Sequence, residues 1–190
     1  IMIAYPYLKG NVIKLTKDYR RMIRVLQLDS GGFSSFTIKY HVPTHEYALY
    51  LRKYGRFFDN YYNLDDRFDD PEHNFFNQVQ IEEFLPKDAK KPIPVIHDPD
   101  DPIAEVKMYV EMGHDYIALG SMGAYTKIGT SVMEKIRETY PDLRIHLFGN
   151  LKRKVLEAVR PYSADSSTWA MQAVKGGAVY YWRPQDQKVY

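Results

Sequence analysis

There is no cysteine anywhere in the 190 residues. Disulfides and cysteine-ligated zinc are therefore excluded within the chain, and a cytoplasmic setting is expected. Charge of one sign is also lacking: 26 Lys and Arg against 24 Asp and Glu leave a formal net charge of +2. Whole-molecule charge does not announce a nucleic-acid binder, so any such role needs a local patch. No apolar run approaches the ~20 residues of a membrane-spanning helix, so no membrane partner is expected. The opening stretch, IMIAYPYLKG, has neither a basic leader nor a small-residue cleavage site, and no signal peptide is expected. No G-x-G-x-x-G follows the first apolar run, and neither H-x-H nor H-E-x-x-H occurs. Dinucleotide binding and zinc hydrolysis lose their usual signatures with them.

What is present is a repeating alternation. Short apolar runs fall at Ile3–Tyr7, Val25–Leu28, Phe57–Leu64, Ile93–Ile96, Tyr116–Leu119, Ile145–Phe148, Tyr162–Ala164 and Val179–Trp182. Each has the length of a strand, and several are continuously apolar, as strands buried on both faces are. Helical spacing fills the intervals: Tyr47, Tyr50, Leu51 and Tyr54; Ile103, Val106, Tyr109 and Val110; Ile128, Val132, Ile136 and Tyr140; Leu151, Val155 and Val159. Pro71 to Leu85 reads as a helix with a less regular pattern, and Thr168 to Lys175 as a short last one. Gly10 to Arg24 fits a short or irregular first crossover. Strand–helix alternation implies a mainly parallel α/β sheet. The number of runs favours a compact (β/α)8 TIM-like barrel over an open doubly wound sheet, with residues 1–190 as one domain.

In such a barrel the reactive groups stand at the C-terminal ends of the strands. The runs are followed there by Asp29-Ser30-Gly31-Gly32, Asn63-Leu64-Asp65-Asp66, His97-Asp98, Gly120-Ser121-Met122-Gly123, Gly149-Asn150 and Asp165-Ser166-Ser167. Asp and Gly are ordinary turn residues, and a strand-to-turn cap is the structural alternative at each. Carboxylates at three separate strand ends, with a histidine and several glycines, describe a polar pocket instead. Three chemistries suit it. Asp29, Asp65, His97 and Asp165 would converge on a divalent ion. The Gly120-Ser121 and Gly149-Asn150 turns would offer N–H groups to a phosphate. An Asp nucleophile would attack a sugar anomeric carbon. The remaining histidines are scattered, and His146, in mid-strand, reads as a satisfied interior residue rather than a ligand.

The motifs DSGGF, NLDD, ALGSMG, HLFGN and YSADSSTW, in that order from Val25 to Trp182, resemble the tRNA-guanine transglycosylase superfamily. The resemblance is to its short, phage-associated branch, which includes enzymes that place 7-deazaguanines in DNA. It implies a (β/α)8 barrel in which an Asp attacks the anomeric carbon, guanine leaves and a 7-deazaguanine replaces it. No redox cofactor or ATP is implied. By position, Asp165 matches the nucleophile and Asp29 the acid/base and base-positioning carboxylate. Asp65, or its neighbour Asp66, matches the reader of the guanine edge. Gly120 matches the glycine whose backbone touches the base, and His97 falls where the family often uses an amide. Ser30, Gly31, Gly32, Phe33, Ser121 and Gly149 complete the expected substrate contacts.

The chemistry of the residues agrees with that implication. Guanine presents N–H donors that acidic acceptors suit, and an oxocarbenium-like centre favours a nearby carboxylate. A base must leave its stack to reach a pocket, where aromatic walls help. Phe33, Phe36, Tyr125 and Trp169 are candidate walls, or barrel core. Lys152, Arg153 and Lys154 would contact phosphates, with Arg160 and Arg183 extending the stripe; a solvated helix face is the alternative. Lys14, Lys17, Arg20, Arg21 and Arg24 form a second such segment. The chain departs from the tRNA enzymes in lacking their cysteine-rich zinc module, in carrying Gly-Ser-Met-Gly rather than Gly-Gly-Leu, and in ending soon after the eighth run. The expected partners are therefore DNA before tRNA and a free 7-deazaguanine base, in the cytoplasm of the host cell if phage-encoded. A homodimer or a partner protein is left open. Rival readings are an N-glycosidase, a binding barrel without chemistry, and a metal-dependent hydrolase.

Overall fold

The computed structural model describes residues 1–8, 11–34, 40–98, 101–122, 126–127, 130–167, 182–183 and 188–189. The fold is α/β, with two parallel sheets. Strands β1 (Met2–Ala4), β2 (Gln27–Asp29) and β3 (Asn60–Tyr61) pair in parallel in that order. Strand β4 (Val95–Ile96) begins the second sheet and pairs with β5 (Tyr116–Leu119). A short antiparallel ribbon, β6 (Ser121–Met122) and β7 (Thr126–Lys127), follows β5. The sheet then runs on through β8 (Arg144–Leu147) and β9 (Ser163–Ala164), both parallel. A parallel bridge between Tyr62 and Ile93 joins the two sheets. Among the described residues no hydrogen-bonded pairing returns from β9 to β1, and closure into a barrel is not seen.

Helices cover the outside. They are α1 (Tyr5–Leu8), α2 (Val12–Tyr19), α3 (Thr44–Tyr54), α4 (Pro71–Phe84), α5 (Pro102–Glu111), α6 (Thr130–Thr139) and α7 (Arg153–Val159). Two of them start the same way. Asp70 and Asp101 accept the backbone N–H of His73 and Ala104, and a proline occupies the first helical position. An acidic cap followed by proline satisfies one orphan donor and removes another.

The core has three parts. One packs α1 to α4 against β2 and β3, around Leu26, Leu28, Tyr47 and Ile81. A second packs α5 to α7 against β5 and β8, around Tyr109, Ile117, Ile136 and Ile145. The third lies on the inner face: Tyr62, Ile93, Val95, Tyr116 and Ala118, with Met2 and Phe148 against it. Met2 belongs to the first strand and Phe148 follows β8, so the sheet curls until its distant strands share one inner cluster. That curl directs the C-terminal strand ends toward one another.

Several boundaries differ from the sequence expectations. The run Ile3–Tyr7 is strand only to Ala4, because Pro6 lacks an N–H for the ladder and suits a helix's first turn. Only Asn60–Tyr61 of the run Phe57–Leu64 is strand, with a 3-10 turn at Gly55–Phe57 before it. The first crossover is α2 followed by a 3-10 turn at Arg20–Met22. Arg20 anchors it through two hydrogen bonds to Asp59, at 2.9 and 2.8 Å. Of the expected eighth strand only Trp182 is described. It lies in β10 (Trp182–Arg183), antiparallel to β11 (Lys188–Val189). The expected helix at 168–175 lies outside the described residues. No helix among the described residues is long and apolar enough to cross a membrane.

Candidate active site

The end of β2 turns sharply at Ser30-Gly31-Gly32, and each residue there has a local reason. Gly31 has φ +83°, and a Cβ on it would lie 2.3 Å from Pro6 Cδ. A Cβ on Gly32 would lie 2.5 Å from the Asp65 carbonyl oxygen. The two missing side chains thus make room for the chain itself, and both glycines are buried. Ser30, also buried, donates its hydroxyl to Asp65 Oδ1 at 2.8 Å. The turn is therefore a clamp that ties the end of β2 to the loop after β3.

That loop is pinned from the other side by α4, whose inner face is polar. Asn63 Nδ2 donates to the Asn74 carbonyl at 2.8 Å, and Asn77 Nδ2 to the Leu64 carbonyl at 3.0 Å. Asp65 is held between the clamp and His97, whose Nε2 is 3.1 Å from Asp65 Oδ2. Asp66 faces the other way, toward His73 Nε2 at 3.0 Å and Asn77 Nδ2 at 3.1 Å. The structure thus separates two carboxylates that are adjacent in sequence. Asp65 faces the interior of the curled sheet, and Asp66 braces α4.

His97 is fully buried at the end of β4. Its backbone N–H and that of Asp98 both donate to Glu105 Oε2, at 2.8 and 2.7 Å. Burial pushes the Glu105 carboxyl up, against the opposing pull of those two N–H groups. Asp165 follows β9. Its Oδ1 accepts the Gly149 N–H at 3.0 Å and lies 3.3 Å from His146 Nε2. Gly149, at φ +60°, therefore directs its amide to a carboxylate of the same chain.

A cleft of about 280 Å³ opens where these ends converge. It is lined by Met2, Asp29, Phe33, Asp65, Phe68, Gly120, Phe148, Gly149, Asp165 and Ser167. A second opening, about 530 Å³, shares Met2, Asp29, Asp165 and Ser167 with it. Asp29 and Asp165 thus stand at the junction of the two. Asp29 accepts the N–H groups of Ser30 and Gly31, yet its carboxyl is pushed up to about 7. Burial is the main cause, followed by the negative charge of Asp65; Asp165 adds to it. Near neutral pH Asp29 is divided between acid and carboxylate, as a group that both gives and takes a proton should be.

Of the expected site residues, Asp29, Asp65, Phe33, Gly120, Gly149 and Asp165 line the cleft. Ser30, Gly31, Gly32 and His97 stand behind it as its frame. Ser121 is in β6, and Phe36, Tyr125 and Trp169 lie outside the described residues. Lys152, Arg153 and Lys154 are exposed at the start of α7, where Arg153 pairs with Glu157 at 2.7 Å. Sequence reasoning missed Phe68 and Phe148. Phe68 packs on the His97 ring at 5.4 Å and Phe148 on the His146 ring at 4.6 Å. The position of Phe148 directly before Gly149 was the available signal. Among the described residues no three His, Asp or Glu groups are placed to hold one metal ion. No family model, curated protein or solved structure matches the chain.

Proposed function

We propose that the chain is a transglycosylase of (β/α)8 type that exchanges guanine in nucleic acid, DNA before tRNA, for a 7-deazaguanine. One observation carries the reading. Three carboxylates from three strand ends meet in one cleft, and the middle one, Asp29, has its carboxyl pushed up to about 7. The consecutive parallel strands and the inner cluster shared by Met2 and Phe148 support the barrel.

The cleft is at the small end of ligand pockets, which start at roughly 300 Å³, and suits one base rather than a dinucleotide. The base enters between Phe68 and Phe148, with the exposed Phe33 at the mouth. Asp65 reads the guanine N–H edge. A carboxylate has about four lone-pair sites, so acceptor capacity remains after Ser30 and His97. Asp165 attacks C1′ with the oxygen that Gly149 does not hold. The C1′–N9 electron pair leaves with guanine, which takes a proton from Asp29. The incoming base returns that proton to Asp29, its nitrogen bonds C1′, and the Asp165 carboxylate is released.

The test is incorporation of labelled guanine into double-stranded DNA, single-stranded DNA and bulk tRNA, with Asp165→Ala as control. Label entering one polymer and lost in the variant supports the exchange and identifies the host. Release of guanine without incorporation would replace it with the N-glycosidase reading. Tight binding of a deazapurine with neither product would leave a binding barrel.

A further inference from the structure

His146 was expected to be a satisfied interior histidine, and its surroundings say more. It is 1% exposed, in mid-β8, directly opposite Ser163 in the β8–β9 register. Its ring is fixed between Tyr62, at 5.1 Å, and Phe148, at 4.6 Å. Nδ1 is 2.7 Å from Ser163 Oγ, which is itself 2.7 Å from the Tyr116 hydroxyl. Nε2 points into the site, 3.3 Å from Asp165 Oδ1, and makes no fully aligned hydrogen bond.

The direction of this chain follows from the charge at its end. If Nδ1 carried the proton, Nε2 would turn a bare lone pair toward a carboxylate, with the imidazole removed from water and the carboxylate only partly exposed. If Tyr116 donates to Ser163 and Ser163 to Nδ1, the proton sits on Nε2 and faces Asp165. Each hydroxyl then donates once, and the buried ring is a directed donor.

We propose that His146 is a positioning residue that holds Asp165 by its Oδ1 and stabilises it as the leaving carboxylate in the second half of the exchange. This rests on the transglycosylase reading above. In the first half the free oxygen of Asp165 bonds C1′ and its charge is consumed. In the second half the bond from C1′ to that oxygen breaks, the electron pair returns to Asp165, and negative charge reappears. The Gly149 N–H and the His146 Nε2–H both meet that charge. Donors aimed where charge develops act on the step that creates it.

The first measurement is independent of activity: nitrogen-15 NMR of the histidines in the wild-type protein and in Asp165→Asn. The expected result is a His146 signal protonated on Nε2 that moves in Asp165→Asn. The second is exchange by His146→Phe and His146→Gln, with the fraction of protein covalently joined to nucleic acid. His146→Phe should lower kcat about 10- to 100-fold, with KM within about threefold, as for loss of one hydrogen bond to a charged group. The covalent adduct should accumulate, and His146→Gln, which keeps an N–H donor, should recover part of the rate. A proton on Nδ1, or a signal indifferent to Asp165→Asn, would overturn the proposal whatever the activity. So would a fall in rate with no rise in adduct. Absence of exchange in the wild type would remove the transglycosylase reading, while the NMR result would still decide whether His146 holds Asp165.

Discussion

His97 Nε2 lies 3.1 Å from Asp65 Oδ2, and both side chains are buried. His146 Nε2 lies near Asp165 in a looser arrangement, 3.3 Å from Oδ1, with the imidazole buried and the carboxylate partly exposed. Two of the three cleft carboxylates thus have a buried imidazole beside them, and Asp29 accepts the backbone N–H groups of Ser30 and Gly31. Burial first, and then the negative charge of Asp65, pushes the Asp29 carboxyl up to about 7.

Removing one member of the His97–Asp65 pair should show its structural weight. His97→Ala leaves a cavity and a buried carboxylate without its ring partner, and should destabilise the fold by about 3 kcal/mol in urea unfolding at pH 7. His97→Gln keeps a donor and should cost less than half of that. If both variants unfold with the wild type, Asp65 does not depend on His97.

Gly32 and Gly113 separate close approach from backbone conformation. Gly113 has φ +86°, and a Cβ placed on it would meet nothing within 4 Å. Gly113→Ala should therefore cost about 1 kcal/mol, the left-handed penalty alone. Gly32→Ala would drive a Cβ to 2.5 Å from the Asp65 carbonyl oxygen and should cost about 2–3 kcal/mol while displacing Asp65. Thermal unfolding of the two variants side by side checks the order. Equal costs would mean that the loop after β3 gives way freely.

How far the sequence discloses this fold depends on the kind of signal. Tyr116–Leu119 forms a strand over the residues its apolar run marks, and Thr44–Tyr54 a helix between Pro43 and Gly55. The pattern of α4 reads as irregular because its buried face carries Asn74, Asn77 and Gln78 beside Ile81, and those three amides donate to backbone carbonyls. Asp29, Asp65 and Asp165 are legible because strand ends of a parallel sheet gather at one edge. The His146–Ser163 contact is not, since it depends on the register of β8 against β9, and nothing local in either segment encodes that register. Nor does composition distinguish Asp65 from Asp66; the clamp at Ser30 and the asparagines of α4 do so.

The basic turn before α7 gives a prediction in salt. Arg153 is occupied by Glu157, so in the proposed nucleic-acid complex Lys152 and Lys154 are the better candidates for phosphate contact. Lys152→Ala with Lys154→Ala should weaken binding to DNA of any sequence alike. The slope of log affinity against log salt should fall by about 2, roughly one per lysine. Fluorescence anisotropy at several salt concentrations reads it. An unchanged slope would assign these lysines to a solvated helix face.

Asp29 links activity to stability through pH. In the proposed exchange Asp29 must carry its proton to serve the departing base, so exchange should decline as pH rises through about 7. Its effect on folding has a definite sign. The folded-state value lies above the unfolded one of about 4, so between those limits the folded protein binds more protons than the unfolded chain. Stability therefore falls as pH rises from about 4 to about 7, and the cost is complete above that. Asp29→Asn removes the charge and keeps an acceptor for the turn N–H groups. It should match the wild type near pH 4 and exceed it by about 2–4 kcal/mol at pH 8, with exchange lost. Urea unfolding of both proteins at pH 4, 6 and 8 measures the gap. A gap that does not widen with pH would mean that Asp29 is ionised throughout, and the proton for the leaving base would have to come from another group.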